Sequence, residues 1–117
     1  MPRTSGSCLA FFIPGAAIVG VGQAGALISS AMTISHVKLY SATAPTVAAL
    51  ICDININGAS IFTTGLNLPT VAVGTNAVNS RIPDVTTLAA GDRLTVDVDQ
   101  VGTVTGGAPL LVTVVLV

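Results

Sequence analysis

Short apolar segments separated by turn residues follow one another along the whole chain. They are rich in Val, Ile and Thr, and most of them end at a glycine or proline. Segments of this length and spacing are typical of strands in a β-sandwich or barrel, and no window of about eleven residues shows a helical apolar stripe. The pattern predicts an all-β fold, an antiparallel and jelly-roll-like β-sandwich of about eight short strands: CLAFFI, AAIVGV, MTISHVKLYSA, VAALICDINI, ASIFTT, LNLPTVAV, DRLTVDVDQV and PLLVTVVLV.

Turn residues divide these segments and set the predicted domain organisation. Asn57-Gly58 supplies the positive φ angles of a two-residue hairpin turn, and Gly91-Asp92 predicts a tight turn before the seventh segment. Residues 75–88 read as a long loop and 102–107 as a flexible connection. We expect an N-terminal arm over residues 1–7 and a single β-sandwich domain over 8–117.

Alternation along the strands predicts which side chains face outward. The segment from Met32 to Ser41 alternates regularly and is expected to be half-solvated. The first and the last segments are apolar on both faces. A strand of this kind must be shielded from water on both sides. We therefore expect a permanent homo-oligomer whose subunit or partner interface includes Leu9, Phe11, Ile13, Leu111, Val115 and Val117.

Composition narrows the classes of partner. The chain has 117 residues, 51% of them hydrophobic and 8% charged, with a formal net charge of −1. Four scattered basic residues do not form a nucleic-acid-binding surface. Residues 9–32 are long and apolar enough to suggest a transmembrane helix, but Pro14 and the following glycines disfavour one, so no membrane partner is expected. Cys8 and Cys52 are expected as buried thiols, and a disulfide between them stays open.

Few side chains suggest chemistry. His36 is the only histidine, and no nucleophile or phosphate-binding motif accompanies it, so we expect no enzyme, no catalytic residues and no cofactor. Oxygen-bearing side chains on two strands form a weak candidate for calcium, although alternate residues lie about 7 Å apart along a strand. We favour a solvated polar face over a metal site for this group: Asp53, Asn55, Asn57, Asp97 and Asp99. Sugar binding lacks support, because Tyr40 is the only tyrosine and the three phenylalanines lie in core-like contexts.

Several segments together resemble a β-sandwich module of tailed-phage virion proteins. They are FFIPGAAIVG, ATAPT, LICDININGASIFTT and PDVTTLAAGDRLTVDVDQVG, and the resemblance covers about residues 10–117. It implies a virion structural protein made in the host cytoplasm. We expect a capsid decoration or cement protein that forms a homotrimer and binds the major capsid protein on the capsid surface. The alternative is a tail-fibre or capsid-fibre adhesin module that binds a host glycan or receptor.

Overall fold

The computed structural model describes residues 8–13, 19–63, 67–80, 82–101 and 110–117. Within these ranges the chain forms ten β-strands and no α-helix. The predicted arm over residues 1–7 and the predicted flexible connection over 102–107 lie outside the described residues. The strands are β1 (Cys8–Ile13), β2 (Gly20–Leu27), β3 (Met32–Ser41), β4 (Leu50–Ile56), β5 (Ala59–Ser60), β6 (Thr70–Val71), β7 (Ala77–Asn79), β8 (Thr87–Leu88), β9 (Arg93–Val101) and β10 (Leu110–Leu116).

Two antiparallel sheets form the sandwich. The first sheet has the order β1-β10-β3, and β7 and β8 pair with the two ends of β3 along its other edge. The second sheet has the order β2-β9-β4, and β5 and β6 pair with the two ends of β4 in the same way. Counting each pair of short strands as one position gives eight positions in the strand order of a jelly roll. The predicted all-β, jelly-roll-like sandwich is confirmed.

Alternating side chains of the long strands build the core between the sheets. Leu94, Val96 and Val98 of β9 are at most 1% exposed. Every second residue of β10 is likewise buried, as the sequence pattern predicts. The buried set continues through both sheets and holds them together by excluding apolar surface from water: Phe11, Ile13, Ile28, Ile34, Val37, Leu39, Leu50, Cys52, Ile54, Ile61, Phe62, Val71, Leu88, Leu110, Val112, Val114 and Leu116.

Several predicted strand boundaries are wrong. Strand β2 begins at Gly20, so it continues through the glycines at which the predicted segment ended. The predicted loop over residues 75–88 contains β7 and β8. The segments ASIFTT and LNLPTVAV yield only the two-residue strands β5 and β6. These short strands owe their existence to pairing with β3 and β4, which local sequence does not reveal.

The predicted regular alternation of β3 is wrong because the strand contains a β-bulge. Ile34 pairs with Leu116 and His36 pairs with Val115, so Ser35 has no opposite residue on β10. One extra residue reverses the alternation. Ile34 is therefore buried on the same side as Val37, although the sequence pattern assigned them to opposite faces.

The predicted hairpin turn is confirmed and the second turn is displaced by one residue. Asn57 and Gly58 have φ values of +52° and +89°, the two positive angles that a type I′ turn needs. The second turn is centred on Ala90 and Gly91, since the Asp92 amide donates to the Ala89 carbonyl at 3.1 Å. Gly91 has a φ of +91°, which favours glycine.

Three further expectations are resolved by the fold. Cys8 and Cys52 are both free thiols, and only Cys52 is buried, so the expectation of a buried Cys8 is wrong. Phe12 is 60% exposed and does not belong to the core. None of the described ranges holds a helix long and apolar enough to cross a membrane.

Candidate functional site

The polar outer face of the second sheet brings the predicted acidic residues together. Strands β4 and β9 are neighbours, and Asp53 lies directly opposite Asp97. Asn55 lies opposite Thr95 in the next row of the same face. Asp99 is an extra residue on β9, because Val98 and Gln100 pair with consecutive residues of β4. Two of the predicted members depart from a solvated face: Asn55 is only 7% exposed, and Asn57 lies in the turn after β4.

Hydrogen bonds occupy the carboxylates of Asp97 and Asp53. The Gly22 amide donates to Asp97 Oδ1 at 2.8 Å, and Asn55 Nδ2 donates to Asp97 Oδ2 at 2.6 Å. Ser60 Oγ donates to Asp53 Oδ1 at 2.6 Å. Asp97 therefore joins β2, β9 and β4 across the sheet, and this tie explains why an acid stands in the middle of an apolar strand.

Like charges and partial burial disfavour ionisation of two of these acids. Burial raises the pKa of Asp53, and the charges of Asp99 and Asp97 raise it further against the lowering effect of the Ser60 hydrogen bond. Burial and the charge of Asp97 raise the pKa of Asp99. Over the residues that the structure describes, no group of three or more His, Cys, Asp or Glu side chains is arranged to hold a metal ion. The geometry is that of a hydrogen-bonded structural face.

A second polar cluster joins the hairpin turn to the turn before β9. Asn57 Nδ2 donates to Asp92 Oδ1 at 3.0 Å, and the Arg93 amide donates to Asn57 Oδ1 at 2.9 Å. The Ala89 amide donates to Asp92 Oδ2 at 2.8 Å. These bonds lower the pKa of Asp92, the Ala89 bond most strongly. ININGAS and LAAGDR, which belong to two of the segments that carry the resemblance, are therefore joined by hydrogen bonds, and their polar residues stabilise turns.

The outer face of the first sheet is largely exposed and has an apolar row beside a row that contains Thr113, Lys38 and Asn79. Cα pairing across β1, β10, β3 and β7 aligns its residues in rows, and the first row contains Phe12, Leu111 and Tyr40. Phe12 is 60% and Tyr40 is 49% exposed. Lys38 is the only Lys, Arg, Asp or Glu on this face, whose residues are Cys8, Ala10, Phe12, His36, Lys38, Tyr40, Ala77, Asn79, Leu111, Thr113 and Val115.

The predicted interface residues fall on two different faces. Leu111 and Val115 lie on this outer face, and Val117 is exposed just beyond the end of β10. Phe11 and Ile13 are buried in the core, and Leu9 packs against it. The prediction therefore took the wrong face of β1, whose outward residues are Cys8, Ala10 and Phe12. An apolar segment of six residues contains no polar position that would show which face is inward.

His36 lies on the same outer face, half-buried, opposite Val115. Its Nδ1 is 3.0 Å from Ser35 Oγ. The bulge at Ser35 brings these neighbours together, whereas regular alternation separates their side chains. The contact holds the imidazole at the sheet surface.

Comparison with models of protein families finds no match for the chain. Comparison with curated proteins also finds no match. The phage-module interpretation therefore stays a prediction carried by the quoted segments.

Proposed function

We propose that the chain is a structural protein of a tailed-phage virion, a capsid decoration or cement protein. It forms a homotrimer and binds the major capsid protein at the outer surface of the capsid. Two features support this proposal: the resemblance of residues 10–117 to virion modules, and the jelly-roll sandwich, an architecture that recurs in viral capsid proteins.

The observation that carries the proposal is the exposed apolar row on the outer face of the first sheet, which consists of Phe12, Leu111, Tyr40 and Ala77. Exposed apolar patches mark sites of protein association. Phe12, Leu111 and Tyr40 span three neighbouring strands and offer a flat contact surface. With Lys38 as its one charged side chain, the face loses little hydration when it is covered.

A cement protein strengthens a shell by burying surface on both sides of a joint between capsid subunits. In this proposal the outer face of the first sheet contacts the major capsid protein, and self-association links neighbouring contacts. Each added contact buries apolar area at about 25 cal/mol per Å², so many copies raise the cost of opening the shell.

The test uses virions produced without the chain. Purified protein is added, and the temperature at which the shells release DNA is measured by dye fluorescence. We expect the protein to co-sediment with the shells and to raise that temperature. Phe12→Lys is expected to weaken binding by about tenfold or more, while Val47→Lys, which alters a loop residue that is 81% exposed, is expected to bind as the original chain does. Binding to tails alone, or none to shells, contradicts the proposal.

One observation favours the adhesin alternative. Phe12 and Tyr40 lie in one row, two strands apart, so their backbones are about 10 Å apart. Two exposed aromatic rings on a flat sheet offer a surface on which sugar rings stack. The adhesin alternative is favoured if the chain binds a glycan on an array and Tyr40→Ala abolishes this binding. If the chain binds no glycan on the array, the adhesin alternative is rejected.

A further inference from the structure

Two long edge strands lie on the same side of the sandwich. Within the described ranges β1 pairs only with β10, and β2 pairs only with β9. The other edge of each sheet consists of short strands, β7 and β8 in the first sheet and β5 and β6 in the second. Strands β1 and β2 contact each other across the two layers. We call the surface formed by β1, β2 and the preceding Val19 the β1–β2 wall.

The far side of the sandwich is protected against strand pairing along its whole length, whereas the wall is protected only at the bulge of β2 between Gly20 and Ala24. Soluble β proteins protect sheet edges with short strands, charged side chains, prolines or bulges. The far edges have strands of only two or three residues. Strands β1 and β2 have six and eight residues, and neither contains a charged residue or a proline.

Side chains along the wall are also apolar and exposed. Val19, Val21 and Leu27 are 60%, 84% and 73% exposed. A bulge between Gly20 and Ala24 interrupts the pairing of β2, where the Gly22 amide binds Asp97. From Ala24 to Leu27 the pairing with β9 is regular, so alternate residues of this half of β2 direct their N–H and C=O groups away from β9.

We propose that the β1–β2 wall packs against the wall of a second copy of this chain. An uncharged surface is matched best by another uncharged surface, because a charged partner would lose hydration without gaining an opposite charge. A second copy also supplies free strand edges that pair with those of the first. A contact between two identical walls is two-fold and gives a dimer, so this inference departs from the three-fold association of the proposed function, and it leaves the outer face of the first sheet for the capsid.

The size of the wall agrees with such a contact. Eight residues of strand span about 26 Å, and two sheets about 10 Å apart with their side chains make the wall roughly 20 Å deep. The flat area is then about 500 Å² on each copy, or about 1,000 Å² for the pair, which is the lower limit for a specific interface. Side chains that protrude from this flat outline add to the area.

A matched pair of variants tests the inference on purified protein without capsids. Leu27→Lys places a charge on the wall, and Ile82→Lys makes a similar change at a residue that is 75% exposed and lies outside it. Light scattering behind a sizing column gives the mass over a dilution series, and circular dichroism checks that each variant keeps its strands. We expect Leu27→Lys to raise the dissociation constant for self-association by about tenfold or more, and Ile82→Lys to leave it unchanged.

Cys8 gives a second readout, because it is an exposed thiol on β1. A short bis-maleimide is expected to link two copies of the original chain and of Ile82→Lys, but not of Leu27→Lys or Cys8→Ser. A monomeric original chain, or equal effects of both lysine variants, would overturn the inference. Failure of the protein to bind shells would reject the capsid role and leave this result unchanged.

Discussion

Strand β3 has one residue more than β10 can pair with, and this makes the register argument testable by deletion. Ser35 is the extra residue, between Ile34 opposite Leu116 and His36 opposite Val115. Deleting Ser35 joins the two regular parts into one ladder and leaves every core residue of β3 on its present side. We expect the variant to fold, with an unfolding free energy lowered by about 1 kcal/mol, for the lost local bend and the contact with His36.

Deletion of Thr113 is the matched control in the neighbouring strand. Thr113 is partly buried like Ser35, but it lies in a regular stretch of β10 between β1 and β3. Its removal shifts one half of the strand by one position and turns two core side chains outward, either Leu110 and Val112 or Val114 and Leu116. At about 1.5–3 kcal/mol for each buried side chain, the cost is about 3–6 kcal/mol. That is much of the stability of a domain of this size, which is commonly about 5–15 kcal/mol.

Urea denaturation followed by circular dichroism measures both variants at one protein concentration. We expect a small shift of the midpoint with an unchanged slope for the Ser35 deletion, and a large loss or no folding for the Thr113 deletion. Equal losses for the two deletions, or an unfolded Ser35 variant, would refute the register argument.

Three other predictions follow from the polar residues and the thiols. Asn57→Ala is expected to lower the unfolding free energy by about 2 kcal/mol, because alanine disfavours the positive φ and cannot accept the hydrogen bond from the Arg93 amide. Asn57→Gly is expected to lower it less, because glycine accepts that φ. Urea midpoints that rank the two variants the other way would contradict this. The raised pKa values of Asp53 and Asp99 mean that these groups favour folding below the unfolded value of 3.8 and lose this contribution as pH rises through the folded values. Asp99→Asn is therefore expected to reduce the loss of unfolding free energy as pH rises, and to raise that free energy at pH 7 by a few tenths of a kcal/mol, on the order of one exposed charge pair. An unchanged pH profile of the urea midpoint would contradict this. Burial raises the pKa of Cys52 to about 12, so a maleimide at pH 7 is expected to label Cys8 alone, and two labels on the native protein would contradict the fold.

Local sequence determined the fold class and the inward face of β9. In β9 the acids alternate with Leu94, Val96 and Val98, and a polar residue at every second position shows which face is inward. Asn57-Gly58 determined its hairpin because few residue pairs accept two positive φ angles. The acidic face of the second sheet was predictable from these two signals together with the pairing of β4 and β9.

Only the tertiary structure decided which face of β1 points to the core, where β3 has its bulge and where the short edge strands form. In an apolar strand every side chain is suited to burial, so packing against the opposite sheet chooses Phe11 for the core and leaves Phe12 outside. Strands β5 to β8 are too short to hold their shape alone and exist through hydrogen bonds to β3 and β4. The chain therefore encodes locally where its backbone turns and which strands have a polar side, whereas long-range pairing decides which apolar surface stays exposed for a partner.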